Sequence, residues 1–150
     1  MAIYKRGQAD NGVYHFPKKM VTLYGTAAIT AGDWVQIETD TGVTDYDKND
    51  VGASVTQADA VANGNMAVIG VATETTTAAG YLVVQIAGRY DNANVADAVN
   101  AGDGLIVDAT SGGQAVATTA TDVGNACGLC LVAPSSNQAD VMIINQGWFD

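Results

Sequence analysis

From residue 20 onward the apolar positions fall into short runs of five to nine residues, separated by clusters of Gly, Asn, Asp, Ser and Thr. The runs predict strands over 20–24, 33–38, 66–73, 81–89, 104–108, 114–119, 126–133 and 140–145, each rich in β-branched or aromatic side chains. Thr110-Ser111-Gly112-Gly113 suits a hairpin turn, because glycine supplies the positive φ that tight hairpins need. Ala78-Ala79-Gly80 and Ser135-Ser136-Asn137 read as two more turns. Many short, evenly spaced strands imply an all-β fold, a small antiparallel β-barrel or sandwich of about eight strands. Helix signals are confined to two places. Thr56-Gln57-Ala58-Asp59 before Gly64, and Asn94-Val95-Ala96-Asp97 before Gly102, each offer a capping pattern worth two turns at most, and both read equally well as loops.

Within this pattern the chain partly repeats itself. Ala31-Gly32-Asp33-Trp34-Val35 recurs as Ala101-Gly102-Asp103-Gly104-Leu105. Ile69-Gly70-Val71-Ala72, leading into Val83-Val84-Gln85-Ile86, is echoed by Cys127-Gly128-Leu129-Cys130, leading into Val141-Met142-Ile143-Ile144. Two related halves closing one barrel would produce this order.

Charge divides the chain differently. Residues 1–19 hold four basic residues and one acid, a balance of +3, against −13 for residues 20–150. That opening stretch lacks a period, contains Gly7, Gly12 and Pro17, and reads as an extended basic arm ahead of a β domain over 20–150. Three aromatics in its first sixteen residues suit docking onto a sister subunit or a larger assembly. Candidate contact residues are Tyr4, Lys5, Arg6, Tyr14, His15, Phe16, Lys18 and Lys19, joined at the other end by Trp148 and Phe149. The two terminal aromatics either cap the barrel's own core or anchor an interface.

The net charge of −10 argues against sequence-independent phosphate binding, so no direct nucleic-acid partner is expected. Fourteen of the sixteen acids are Asp, which favours turns over helices. No apolar run approaches a membrane span, and Met1–Arg6 has no apolar stretch behind it. A soluble chain made in a reducing cytoplasm is expected.

Catalytic chemistry is thin. The sole histidine, His15, lies in the arm, and none of the four serines occupies a Gly-x-Ser-x-Gly elbow. Cys127-Gly128-Leu129-Cys130 is flanked by apolar strand, where positions three apart face opposite sides, so small buried thiols fit better than a redox pair. One histidine cannot complete a closed zinc site with them. Asp45-Tyr46-Asp47-Lys48-Asn49-Asp50 begins like a calcium loop but lacks its glycine and its terminal Glu. A looser site from Asp40, Asp45, Asp47 and Asp50 stays open beside the plainer reading of a solvated acidic loop. No enzyme activity, metal or cofactor is expected.

The stretch Ile69–Thr73, the tip around Ala78-Ala79-Gly80, the strand Val83–Gly88, Ala101-Gly102-Asp103 before the next strand, the Ser111-Gly112-Gly113 turn, Gly128-Leu129 and the closing Val141–Asn145 together resemble the small β-barrel decoration, or cement, proteins of tailed bacteriophage heads. The likeness covers about residues 66–147 and, more loosely, the Gly32-Asp33 strand; the basic arm and the Asp-rich stretch 39–50 fall outside it. It implies a non-enzymatic virion protein on the outer capsid surface, with the major capsid protein and further copies of itself as partners, a homotrimer before a dimer. Such proteins clamp neighbouring coat subunits against internal DNA pressure. Two other readings compete. One is a carbohydrate-binding or adhesin module stacking sugars on Trp34, Tyr46, Tyr81 or Tyr90; the other is a minor tail or neck component.

Overall fold

The structure, a computed structural model, describes residues 18–37, 54–58, 68–108, 110–119 and 126–144. These contain β1 (Lys19–Gly25), β2 (Trp34–Ile37), β3 (Ser54–Gln57), β4 (Val68–Ala72), β5 (Gly80–Asn94), β6 (Gly104–Val107), β7 (Ala115–Ala117), β8 (Gly128–Cys130) and β9 (Gln138–Ile143). No described residue is helical, so the fold is all-β. Eight of the nine strands fall on the predicted runs. The ninth, β3, takes up Thr56 and Gln57 from one of the two helix signals, and the other signal ends β5 and passes into a turn.

Strand pairing closes a small barrel. The order is β1-β3-β2-β4-β5, and β5 pairs back onto β1. Every pairing in that ring is antiparallel except β1 with β3, which is parallel and departs from the expected all-antiparallel sheet. The sheet then continues through β9, β8, β6 and β7. This second set curls in the same manner, since Val95, one residue past β5, bridges Ala115 of β7 in parallel.

The two sets are copies of one another. Val35 pairs with Gly70 and Gln57 in the first, as Leu105 pairs with Gly128 and Ala117 in the second. The turns ahead of β2 and β6 coincide: Gly32 and Gly102 both sit at φ 94°, the left-handed value that favours glycine. Loop bonds repeat with them. Gly32 N–H donates to Ala72 O at 2.9 Å and Ala72 N–H to Asp33 O at 2.9 Å; Gly102 to Cys130 O and Cys130 to Asp103 O follow at 2.8 and 2.9 Å. The internal repeat therefore spans β1 to β5 and β5 to β9, well beyond its legible motifs. In its last strand the structure shifts the match by one residue. Ala72 pairs with Val84 as Cys130 pairs with Val141, so 83–86 correspond to 140–143 rather than 141–144.

The offset between copies is 70 at Val35/Leu105 but 60 at Val55/Ala115. The first copy thus carries ten more residues between its second and third strands, where the Asp-rich stretch lies. That stretch, with Asp40, Asp45, Asp47 and Asp50, is outside the described residues.

β5 belongs to both copies. Its first half pairs with β1 as far as Ala87, and Gly88 begins the pairing with β9. Gly88 at φ 88° and Asn92 at φ 66° bend the strand at this handover, and an extra residue bulges between Tyr90 and Ala93.

Each copy has its own core. Ile29, Val35, Val55, Ile69, Ala72, Leu82, Val84 and Ile86 fill the first. Their counterparts Val99, Leu105, Ala115, Cys127, Cys130, Ala139, Val141 and Ile143 lie in the second. Several replacements there are smaller, with Ala139 for Leu82 and Ala115 for Val55, and the second cluster also takes in Trp34, Ala58 and Val71 from the first copy. Trp34, fully buried, is the largest side chain in it and makes up the lost volume.

Candidate functional site

The junction between the copies is organised by Asp33, which is 4% exposed. Placed by the Gly32 turn, its carboxylate accepts the Thr30 N–H at 2.8 Å, Gln57 Nε2 at 2.6 Å and Asn94 Nδ2 at 2.6 Å. Asn94 belongs to the second copy, and its carbonyl also accepts Trp34 Nε1–H at 3.1 Å. The Trp34 N–H donates to Gly113 O, and Gly113 N–H to Ala58 O. A Cβ on Gly113 would lie 2.8 Å from the Asp33 carboxyl carbon, so glycine there lets the β6–β7 turn close over the acid. Tyr90 Oη–H bonds Ala72 O at 3.0 Å, and burial pushes its phenol above the usual range. Every polar atom named at this joint has a partner, and the acid's role there is to hold one copy onto the other.

The outward faces of the copies differ in kind. Ile106 pairs with Val116, and Gly104, two residues before it on the same face of β6, pairs with Leu129, which pairs with Met142; Val116, Ile106, Leu129 and Met142 therefore form one outward row across β7, β6, β8 and β9. Leu129 and the following Ile144 are exposed, and the other three are half-buried. The first copy has Thr56, Gln36, Val71 and Gln85 at the matching positions, and there Gln36, Val71 and Gln85 are buried. Polar side chains are thus covered in one copy while apolar ones stand open in the other. A second apolar patch lies on the outward side of β1 and β5. Tyr24 and Tyr81 meet edge to face at 5.3 Å, Tyr81 is 76% exposed, and Met20 is exposed nearby on β1. Beside the Met142 row, Arg89 binds Asp140 at 2.6 Å and Asp91 at 2.9 Å, and both acids raise its pKa.

Of the contact residues expected from sequence, Lys18 and Lys19 are described; both are exposed, and Lys19 opens β1. Tyr4, Lys5, Arg6, Tyr14, His15, Phe16, Trp148 and Phe149 lie outside the described residues. The sugar-stacking candidates are corrected in part. Trp34 is interior and Tyr90 half-buried, so neither offers a ring to a sugar; Tyr81 does, and Tyr46 is not among the described residues. Cys127 and Cys130 are free, buried thiols, as expected of core residues. Both join the second core rather than facing opposite ways, yet they do not bond each other: Cys127 Sγ donates to Leu105 O at 3.3 Å and Cys130 Sγ to Val132 O at 3.1 Å. Burial pushes the Cys127 thiol up to about 12 and raises that of Cys130 as well.

Among the described residues no three of His, Cys, Asp and Glu are grouped as metal ligands, and no helix is long and apolar enough to cross a membrane. The open apolar row went unread in the sequence because it becomes a face only when β6, β7, β8 and β9 are paired in register. The chain matches no known protein-family model and no curated protein sequence.

Proposed function

We propose that this chain is a structural decoration protein of a tailed-phage head, bound to the outer capsid surface and bridging coat subunits. The observation that carries the reading is the open apolar row Val116–Ile106–Leu129–Met142, continued by Ile144. It is a broad sheet face suited to subunit contact in an assembly, standing where the equivalent face of the first copy is covered. The sequence resemblance over about residues 66–147 supports the same role. The acidic body favours solubility of a protein displayed in many copies, and the basic arm complements acidic neighbouring surface.

Quantitative mass spectrometry of purified particles, comparing this chain with the major coat protein, tests the reading. A copy number of the same order as the coat is expected. A few copies per particle would replace it with a tail or neck role. Absence from particles would overturn a virion role and bring forward glycan binding, for which Tyr81 is the exposed aromatic among the described candidates.

A further inference from the structure

Within the chain, the outward face of the first copy is covered by the second. Trp34 and Val71 on that face pack into the second core, and Asp33 is held by Asn94. The second copy has the same face, with Gly104 at the position of Trp34, Leu129 at that of Val71 and Asp103 at that of Asp33. Here Leu129 is exposed, and the Asp103 carboxylate accepts from Asn100 within its own turn rather than from the other copy. Where the first copy presents an indole, the second has glycine, over which only the small Thr118 side chain stands, so this face carries no large inserting group of its own. The residue matching Asn94 in the first copy is Tyr24, because Asn94 pairs with Gln138 as Tyr24 pairs with Tyr81. Thus the unused receiving side carries an exposed aromatic pair, and the unused inserting side carries an open apolar row with a carboxylate at its edge.

We propose that copies of this chain stack head to tail, the Tyr24–Tyr81 face of one docking on the Gly104–Leu129 face of the next, so that the contact between halves is repeated between chains. The Tyr24 and Tyr81 rings cover Leu129 and Ile106 beside Gly104, and a tyrosine hydroxyl donates to Asp103 as Asn94 donates to Asp33. Aromatic anchors packed on an apolar face are what such interfaces favour. Because the two faces differ, the contact is heterologous and forms a closed ring or an open stack rather than a face-to-face dimer. The inference names a further copy of this chain as what covers the row used in the proposed function, and the two readings fail separately: a chain that stacks but is absent from particles loses the capsid reading alone, and one found on particles as isolated monomers loses this one.

Sedimentation of the full chain and of Leu129→Asp and Tyr81→Asp tests it. The wild type is expected to associate, and each variant to run as a single chain with an unchanged circular dichroism spectrum. Mixed in equal amounts, the variants keep one intact face each and are expected to form a one-to-one dimer and nothing larger. If Leu129→Asp fails to fold, Ile144→Asp on the same row replaces it. A wild type that stays monomeric at high micromolar concentration overturns the proposal, whether or not the chain's own residues cover the row. So does a Tyr81→Asp chain that associates like the wild type, or a mixture that remains monomeric.

Discussion

Asp33 and Asp103 close the same turn 70 residues apart, each accepting the backbone N–H of the residue three before it at 2.8 Å. Only Asp33 goes further and takes the amides of Gln57 and Asn94. One local device thus serves as a turn in one copy and as the joint between copies in the other. Asp33→Ala is expected to cost about 2–3 kcal/mol, since it strands two half-buried amides as well as the turn, and Asp103→Ala about 1 kcal/mol. Urea unfolding of the two variants measures the difference; equal losses would mean that the joint adds nothing.

Two strand glycines separate a backbone limit from a side-chain one. A Cβ on Gly70 would stand 2.1 Å from Gln85 O, forcing β4 and β5 apart, whereas on Gly128 its nearest contact is the Trp34 ring edge at 2.7 Å. Gly70→Ala is expected to lose more than about 3 kcal/mol, and Gly128→Ala about 1–3 kcal/mol. Trp34→Phe in the Gly128→Ala background should recover part of the latter, giving a double-variant cost below the sum of the singles.

The Ser135–Gln138 turn has Ser136 at φ 55° and Asn137 at φ 60°, with Ser135 and Gln138 exchanging backbone bonds at 2.8 and 3.1 Å. Both central residues hold the left-handed conformation that suits Asn-Gly best. Replacing Ser136-Asn137 by Asn-Gly is expected to stabilise the fold by about 0.5–1 kcal/mol, read as a higher urea midpoint with unchanged slope.

Cys127 ties stability to alkaline pH. Its thiol rises from 9.0 to about 12 on burial, so the unfolded chain ionises first as pH climbs. Between those values the folded state binds more protons, and stability falls with rising pH. Stability is therefore expected to drop from about pH 9 to pH 12, and the Cys127→Ala variant should show a shallower slope over that window. A disulfide-exchange reagent at pH 8 should leave Cys127 unmodified until the chain unfolds.

Much of this fold was legible because its strands are short, apolar and well punctuated. What escaped has physical causes. Ser54–Gln57 is four residues long with three of them polar, and it becomes a strand only between β1 and β2. The end of β5, Tyr90-Asp91-Asn92-Ala93-Asn94, has low strand propensity and stays extended because β9 pairs with it around a bulge. In Val141–Ile144 an unbroken apolar run carries no alternation to fix register, which is why the sequence motif aligns the repeat one residue late there. Of the candidate faces, the Tyr24–Tyr81 pair and the Leu129 row depend on strands meeting side by side, and no local spacing encodes that. The Ala-Gly-Asp motif was legible at both sites for the opposite reason: turn, acid and glycine are all contained in four residues.

The fifteen-residue β5 runs through both copies, and at about 3.3 Å per residue its contour along the bend is roughly 50 Å. Where domains are joined by a linker, tension passes through a hinge and the domains yield one after another. Here a pull on one copy is carried into the other along a single covalent backbone held on its flanks by β1, β4 and β9. The ladder is loaded in shear, many bonds at a time, and yielding in one copy withdraws the strand that completes its neighbour. The chain should therefore give way to force as one body, at a single threshold, like a rivet rather than a chain of links.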